Sequence, residues 1–152
     1  MATLTRKINI ISRCYSSYRA KQSACNLPGI YHSYVLAVCR NPGWSQDMLA
    51  RHLCLNKSNV TRHLAYLEDN GYIERRTGEK DKREMLVYPT EKMMNILPEI
   101  TAITKDWNEK MTAGISEEEY AQFMKTLEKM TANSLEIIYG KENRDENSIR
   151  LS

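Results

Sequence analysis

The sequence predicts a mainly α fold with one small β-hairpin, and three observations predict it. Apolar residues recur at spacings of three and four along most of the chain, the recurrence is interrupted by Asn, Pro and Gly, and strand chemistry is confined to residues 72–76 and 85–88 around a glycine-containing loop. At 152 residues, 41% hydrophobic and 27% charged, the chain has apolar matter for one core, so residues 1–152 are expected to form a single domain.

Each element follows from its own residues. Leu4, Ile8, Ile11, Tyr15 and Tyr18 form the seam of a first helix, which Asn26-Leu27-Pro28-Gly29 interrupts. A mostly apolar second helix spans residues 30–39 and stops at Asn41-Pro42-Gly43. Ser45 is placed to cap a short helix carrying Leu49 and Leu53, and Cys54-Leu55-Asn56 ends it. Asn56 then caps a helix whose Val60, Leu64 and Leu67 form one stripe, closed by a left-handed cap at Asn70-Gly71. Two short helices joined in this way make a helix-turn-helix, and the hairpin after it makes a wing. Beyond it, Met93, Leu97, Ile100, Ile103, Trp107 and Met111 mark a long helix that Pro98 is expected to kink. Ser116 and Glu119 form a capping box for a last helix with Tyr120, Phe123, Leu127 and Met130 on its apolar face. Residues 140–152 are polar and charge-mixed, as in a frayed tail.

Composition narrows the function. No stretch reaches the ~20 apolar residues of a membrane helix and no secretory apolar core follows Arg6 and Lys7, which predicts a cytoplasmic protein without a membrane partner. Cys14, Cys25, Cys39 and Cys54 are spaced 11, 14 and 15 apart, without the close pairs of a metal or redox site. Neither cofactor nor metal is expected. His32, His52 and His63 have no catalytic partners by sequence, and no glycine-rich phosphate loop exists, so an enzyme is not expected. A zinc site at His52 and Cys54 is the weakest alternative. The net charge of +3 is unevenly spread: residues 1–46 carry six Lys or Arg and no acid, whereas residues 93–152 carry seven against eleven acids. A segregated positive half is the footprint of a polyanion partner, or equally of a dispersed, solvated surface.

The helix from Asn56 separates these readings. With Val60 at zero and 100° per residue, Ser58, Arg62 and Ala65 lie at about 160°, 200° and 140°, flanked by Asn59, Thr61 and Tyr66. Short, polar and basic side chains on that face suit a helix entering the major groove of double-stranded DNA; a plain solvated face is the alternative for the helix taken alone. The basic loop of residues 77–83 is placed to reach phosphate or minor groove, with Lys80, Lys82 and Arg83 as contacts and Asp81 orienting the Arg83 guanidinium. Candidate DNA contacts are therefore Ser45, Gln46, Lys57, Ser58, Asn59, Thr61, Arg62, Arg75, Lys80, Lys82 and Arg83. His63, beside the reading face, is either a phosphate contact or a solvated histidine. A winged helix used as a protein-interaction module would need an apolar outward stripe, which Ser58, Asn59 and Arg62 do not supply.

At these residues the chain resembles the multiple-antibiotic-resistance regulator (MarR) family. The resemblance is carried by Asn41-Pro42-Gly43, Ser45-Gln46, Lys57-Ser58-Asn59-Val60-Thr61-Arg62, Leu67-Glu68-Asp69-Asn70-Gly71-Tyr72-Ile73-Glu74-Arg75, Asp81-Lys82-Arg83 and Thr90-Glu91. It departs at Met93, where the family usually has glycine. The resemblance implies a winged helix-turn-helix lobe over residues 30–90, flanked by dimerisation helices at 1–25 and 91–139. It further implies a homodimeric transcriptional regulator, a repressor, on a pseudo-palindromic site. Similar proteins bind small aromatic or phenolic effectors near the dimer helices, which points here to Arg13, Tyr31, Tyr34 and Trp44, each equally placed as core. Some relatives sense oxidants through a thiol on the first helix, which points to Cys14; a buried, inert thiol is the alternative.

Overall fold

The computed structural model describes residues 3–22 and 25–140; the tail expected at residues 141–152 lies outside the described residues. Among the described residues, six α-helices and three short strands follow in the order α1 (Thr3–Gln22), α2 (His32–Arg40), β1 (Trp44–Ser45), α3 (Gln46–His52), α4 (Lys57–Asp69), β2 (Ile73–Thr77), β3 (Met85–Pro89), α5 (Glu91–Met111) and α6 (Glu117–Tyr139). They form two compact units, Met1–Asn108 and Glu109–Ser152.

In the first unit the core lies where α2, α3, α4 and the sheet converge. Tyr34, Val35, Leu49, Val60, Leu64, Leu67, Val87, Met93 and Ile100 have lost essentially all contact with solvent. The stripe read at Val60, Leu64 and Leu67 is thus the buried face of α4, and its burial holds the helix in one rotational setting. The second helix, expected over residues 30–39, starts later, at His32, after a tighter 3-10 turn at Gly29–Tyr31 that leads into α2. Met93, where the resemblance leads one to expect glycine, is an ordinary helical residue whose side chain fills the core. Thr90 caps this end of α5, its hydroxyl also donating to the carbonyls of Gly71 and Tyr72 at 2.7 and 2.9 Å, which ties α5 to the end of α4. The helix runs on through Pro98.

The sheet has three strands in the order β1-β3-β2, all antiparallel. The hairpin β2–β3 is the wing foreseen from sequence. The third strand is not: Trp44 and Ser45 pair with Val87 and Leu86, a ladder too short to show alternation. Along α1 and α5, Tyr15 and Tyr18 both approach Trp107 at ring-centroid distances of 5.4 Å, Tyr15 hydrogen-bonds Thr104 at 3.0 Å, and Tyr18 donates to Asp106. In the second unit, Ser116 and Glu119 form the expected capping box of α6.

Candidate nucleic-acid interface

Four local devices build the helix-turn-helix. The Ser45 hydroxyl accepts the Met48 N–H at 3.2 Å and starts α3. At its other end Cys54 takes up a left-handed conformation, φ 53°, and the Leu55 N–H returns to the Ala50 carbonyl at 3.0 Å, which reverses the chain. Asn56 then accepts the Asn59 N–H at 2.8 Å and starts α4. Gly71, φ 75°, ends α4 with the Tyr72 N–H on the Leu67 carbonyl and the Gly71 N–H on that of Glu68, the paired bonds of a Schellman cap.

Because one face of α4 is sealed in the core, the opposite face is exposed: Lys57, Ser58, Thr61 and Arg62 are open to solvent and Asn59 is half-buried. The polar groups on this face hold one another. Gln46 donates from α3 to the Thr61 hydroxyl at 2.6 Å, and that hydroxyl donates in turn to the Lys57 carbonyl at 2.9 Å. Lys57 pairs with Asp47 at 3.0 Å, and Arg62 donates to the Asn59 side-chain oxygen at 2.8 Å. The wing carries Lys80, Lys82 and Arg83, all exposed, at its tip. Between the wing and the start of α3 lies an open cleft of about 440 Å³, lined by Ser45, Gln46, Asp47, Asp81, Arg83, Glu84 and Met85.

Beneath α4 sits an aromatic cluster. Tyr34, fully buried, meets His63 Nδ1 at 3.0 Å through its hydroxyl, and the two rings stand edge to face. Tyr31 stacks on Tyr66 with centroids 4.5 Å apart and planes 3° from parallel. Burial, then the nearby Arg62 charge, holds the His63 imidazole below its ordinary pKa; burial pushes the Tyr34 phenol up to about 12.

The sequence profile of the MarR family matches residues 35–85, the segment from α2 into the wing. The HTH-type transcriptional regulator BilQ of Clostridium symbiosum (strain WAL-14163) is 30% identical over 97 residues, which are 64% of this chain and 67% of the relative. The chain belongs to the MarR family.

Its fold is that of other MarR-type regulators of known structure. The transcriptional regulator SlyA superposes with a TM-score of 0.84 at 28% identity, over 88% of this chain and 95% of that one. A putative MarR family regulator from Listeria monocytogenes, solved with a 26mer DNA, gives 0.84 at 26% identity over 90% and 91%. A MarR regulator from Methanosarcina mazei Go1 gives 0.82 at 25% identity over 90% and 99%. This chain is accordingly a DNA-binding transcriptional regulator of winged-helix fold and not an enzyme. Among its described residues, no helix is long and apolar enough to cross a membrane.

Placed on this MarR scaffold, the sequence-predicted contacts divide. Gln46, Lys57, Ser58, Asn59, Thr61 and Arg62 come together on the outer side of α3 and α4, and Lys80, Lys82 and Arg83 on the wing. Ser45 does not join them: it is buried, and its hydroxyl is spent on the cap. Nor does Arg75, whose Nε donates to Glu68 at 2.8 Å in a half-buried ion pair that holds the Glu68 carboxyl below its usual range. Asp81 acts on backbone and not on the guanidinium; its carboxylate accepts the Arg83 N–H at 2.9 Å, shaping the wing loop. His63 is neither a phosphate contact nor solvated, because it faces Tyr34 in the interior. Its position three residues after Val60, beside the buried stripe, was the signal for that.

The four effector candidates are not gathered into one place. Tyr31 and Tyr34 belong to the aromatic cluster under α4, Trp44 meets the edge of His52 at 5.2 Å, and Arg13 is exposed on α1. Cys14 is exposed, not buried.

Proposed function

We propose that this regulator is a homodimeric repressor that reads a pseudo-palindromic operator with the outer face of α4. The carrying observation is the polar, acid-free outward face of Ser58, Asn59, Thr61 and Arg62, set by burial of Val60, Leu64 and Leu67 on the opposite side. Arg62 contacts base edges; Gln46, Lys57 and the wing residues Lys80, Lys82 and Arg83 contact phosphate or minor groove. The family relative solved with a 26mer DNA supports duplex DNA as the partner. Two-fold symmetry sets two recognition helices in successive major grooves, about 34 Å apart.

The terminal helices support the dimer. Neither α1 nor α6 has a buried residue. Leu4, Ile8, Ile10 and Ile11 on the first, and Phe123, Ile137 and Ile138 on the second, are exposed apolar side chains of the kind a second copy would cover.

Selection of binding sites from random-sequence duplexes at two salt concentrations, with solution mass, tests the reading. Recovery of a palindrome by a dimer whose affinity falls steeply with salt is expected. A monomer that enriches no sequence would move the function to a protein-interaction module. On the selected site, Arg62→Ala should cost about 1–3 kcal/mol and relax base preference, whereas Arg83→Ala should weaken binding with less effect on preference.

A further inference from the structure

We infer that Asn59 is a positioning residue for sequence reading: its side-chain amide oxygen holds the Arg62 guanidinium ready for a base edge. The inference rests on the proposed entry of the outer face of α4 into the major groove.

The first ground is geometry. Arg62 lies one helical turn after Asn59, and its Nη2 donates to Asn59 Oδ1 at 2.8 Å. The acceptor is itself fixed. Asn59 stands in the first turn of α4, where its backbone N–H is taken by the Asn56 cap at 2.8 Å. That turn is tied to α3 by the chain from Gln46 through the Thr61 hydroxyl to the Lys57 carbonyl, and Val60, between them, is wholly buried. A guanidinium held from this point is therefore held relative to the whole helix-turn-helix.

The second ground is the chemistry of the acceptor. Three cations of α4 and the adjoining strand β2 are paired with carboxylates: Lys57 with Asp47, Arg75 with Glu68, and Arg76 with Glu74. A carboxylate orients a cation but cancels its charge and repels phosphate. An amide oxygen orients Arg62 and leaves its full positive charge for DNA. The bond uses one of five guanidinium N–H groups, and those remaining include the fork that a bidentate contact to guanine O6 and N7 requires. An arginine restrained before binding loses less side-chain freedom on reaching the base, and it loses that freedom in favour of one direction. The consequence is discrimination at one base pair, with little change in affinity for DNA at large.

The test uses the full-length protein on its selected duplex and on the set of single base-pair substitutions of that duplex. Asn59→Ala, Arg62→Ala, the double variant and Asn59→Asp are compared, each checked by thermal unfolding. Arg62→Ala should abolish preference at one base pair per half-site. Asn59→Ala should reduce preference at that same base pair by about threefold to tenfold, with the salt dependence of binding unchanged. The double variant should match Arg62→Ala. Asn59→Asp keeps the acceptor and should restore the preference, while its added negative charge flattens the salt slope by up to about 0.9 per protomer.

A loss for Asn59→Ala at a different base pair, or one that adds to that of Arg62→Ala, would mean that Asn59 reads a base itself and would overturn the inference. So would failure of Asn59→Asp to restore preference. If Asn59→Ala is silent while Arg62→Ala erases preference, the inference alone falls. If Arg62→Ala leaves every preference intact, the reading of α4 beneath it falls as well.

Discussion

Replacing Tyr34 by Phe removes one oxygen atom from the support beneath the recognition helix. The phenol is wholly buried and His63 is 8% exposed, so neither partner of their 3.0 Å bond has water to turn to. The aromatic ring, edge to face with the imidazole at 5.5 Å, is unchanged by the substitution, which isolates the hydroxyl. A buried hydrogen bond contributes roughly 0.5–1.5 kcal/mol net, but deleting one partner leaves the imidazole nitrogen desolvated and unmatched, so the expected loss is about 1–3 kcal/mol. For a chain of this size that lowers the thermal midpoint by about 2–4 °C per kcal/mol. Urea unfolding at neutral pH and equal protein concentration measures it, with an unchanged denaturant slope. A loss below about 0.5 kcal/mol would refute the argument that this bond supports α4. The same site predicts a pH dependence. His63 is held below its ordinary value of 6.5, so the folded chain takes up the proton less readily than the unfolded one. The stabilisation is therefore fully present above pH 6.5 and is lost as the pH falls below it; buried His32, lowered in the same direction, adds to the trend. A stability profile that stays flat from pH 7 down to about 5 would contradict both assignments.

Three further outcomes follow from other parts of the site. Asp47→Asn removes the carboxylate that competes with phosphate for Lys57, so affinity for any duplex should rise and the logarithmic salt dependence should steepen by about 0.9 per protomer; an unchanged slope would show that Lys57 does not meet DNA. Cys54 sits in a left-handed conformation, so Cys54→Gly should be more stable than Cys54→Ala by about 1 kcal/mol in thermal unfolding, and equality would remove the claim of strain at this turn. A side chain at Gly78 would place its first carbon 2.8 Å from the Asp81 carbonyl oxygen, so Gly78→Ala should displace the wing loop and weaken DNA binding across all sequences while the helical circular dichroism is retained; loss of base preference instead would assign the wing a reading role.

The helices and their ends were legible in the sequence because they depend on neighbours three and four residues away. The stripe of Val60, Leu64 and Leu67, the caps at Ser45, Asn56 and Gly71, and the capping box of Ser116 and Glu119 are all relations of this kind. The outward face of α4 followed from the same periodicity, since burying one side of a helix exposes the other. Local signals were also present for two features read differently. His63 lies on the edge of the buried stripe, and the Asp81 carboxylate two residues before the Arg83 N–H is the spacing of an Asx turn.

What the tertiary structure decided concerns partners distant in the chain. Strand β1 exists because β3 offers Trp44 and Ser45 a ladder, and two residues carry no period of their own. Arg75 is withdrawn from the DNA face because β2 returns along α4 and brings Glu68 within hydrogen-bonding reach. Tyr34 was a ligand candidate until packing set its hydroxyl on His63 in the interior. Secondary structure, caps and the polarity of a helical face are short-range consequences of composition and spacing, so the sequence by itself determined them. Which charges remain open to DNA and which are cancelled by a carboxylate depends on how the elements pack, and only the folded chain decides that.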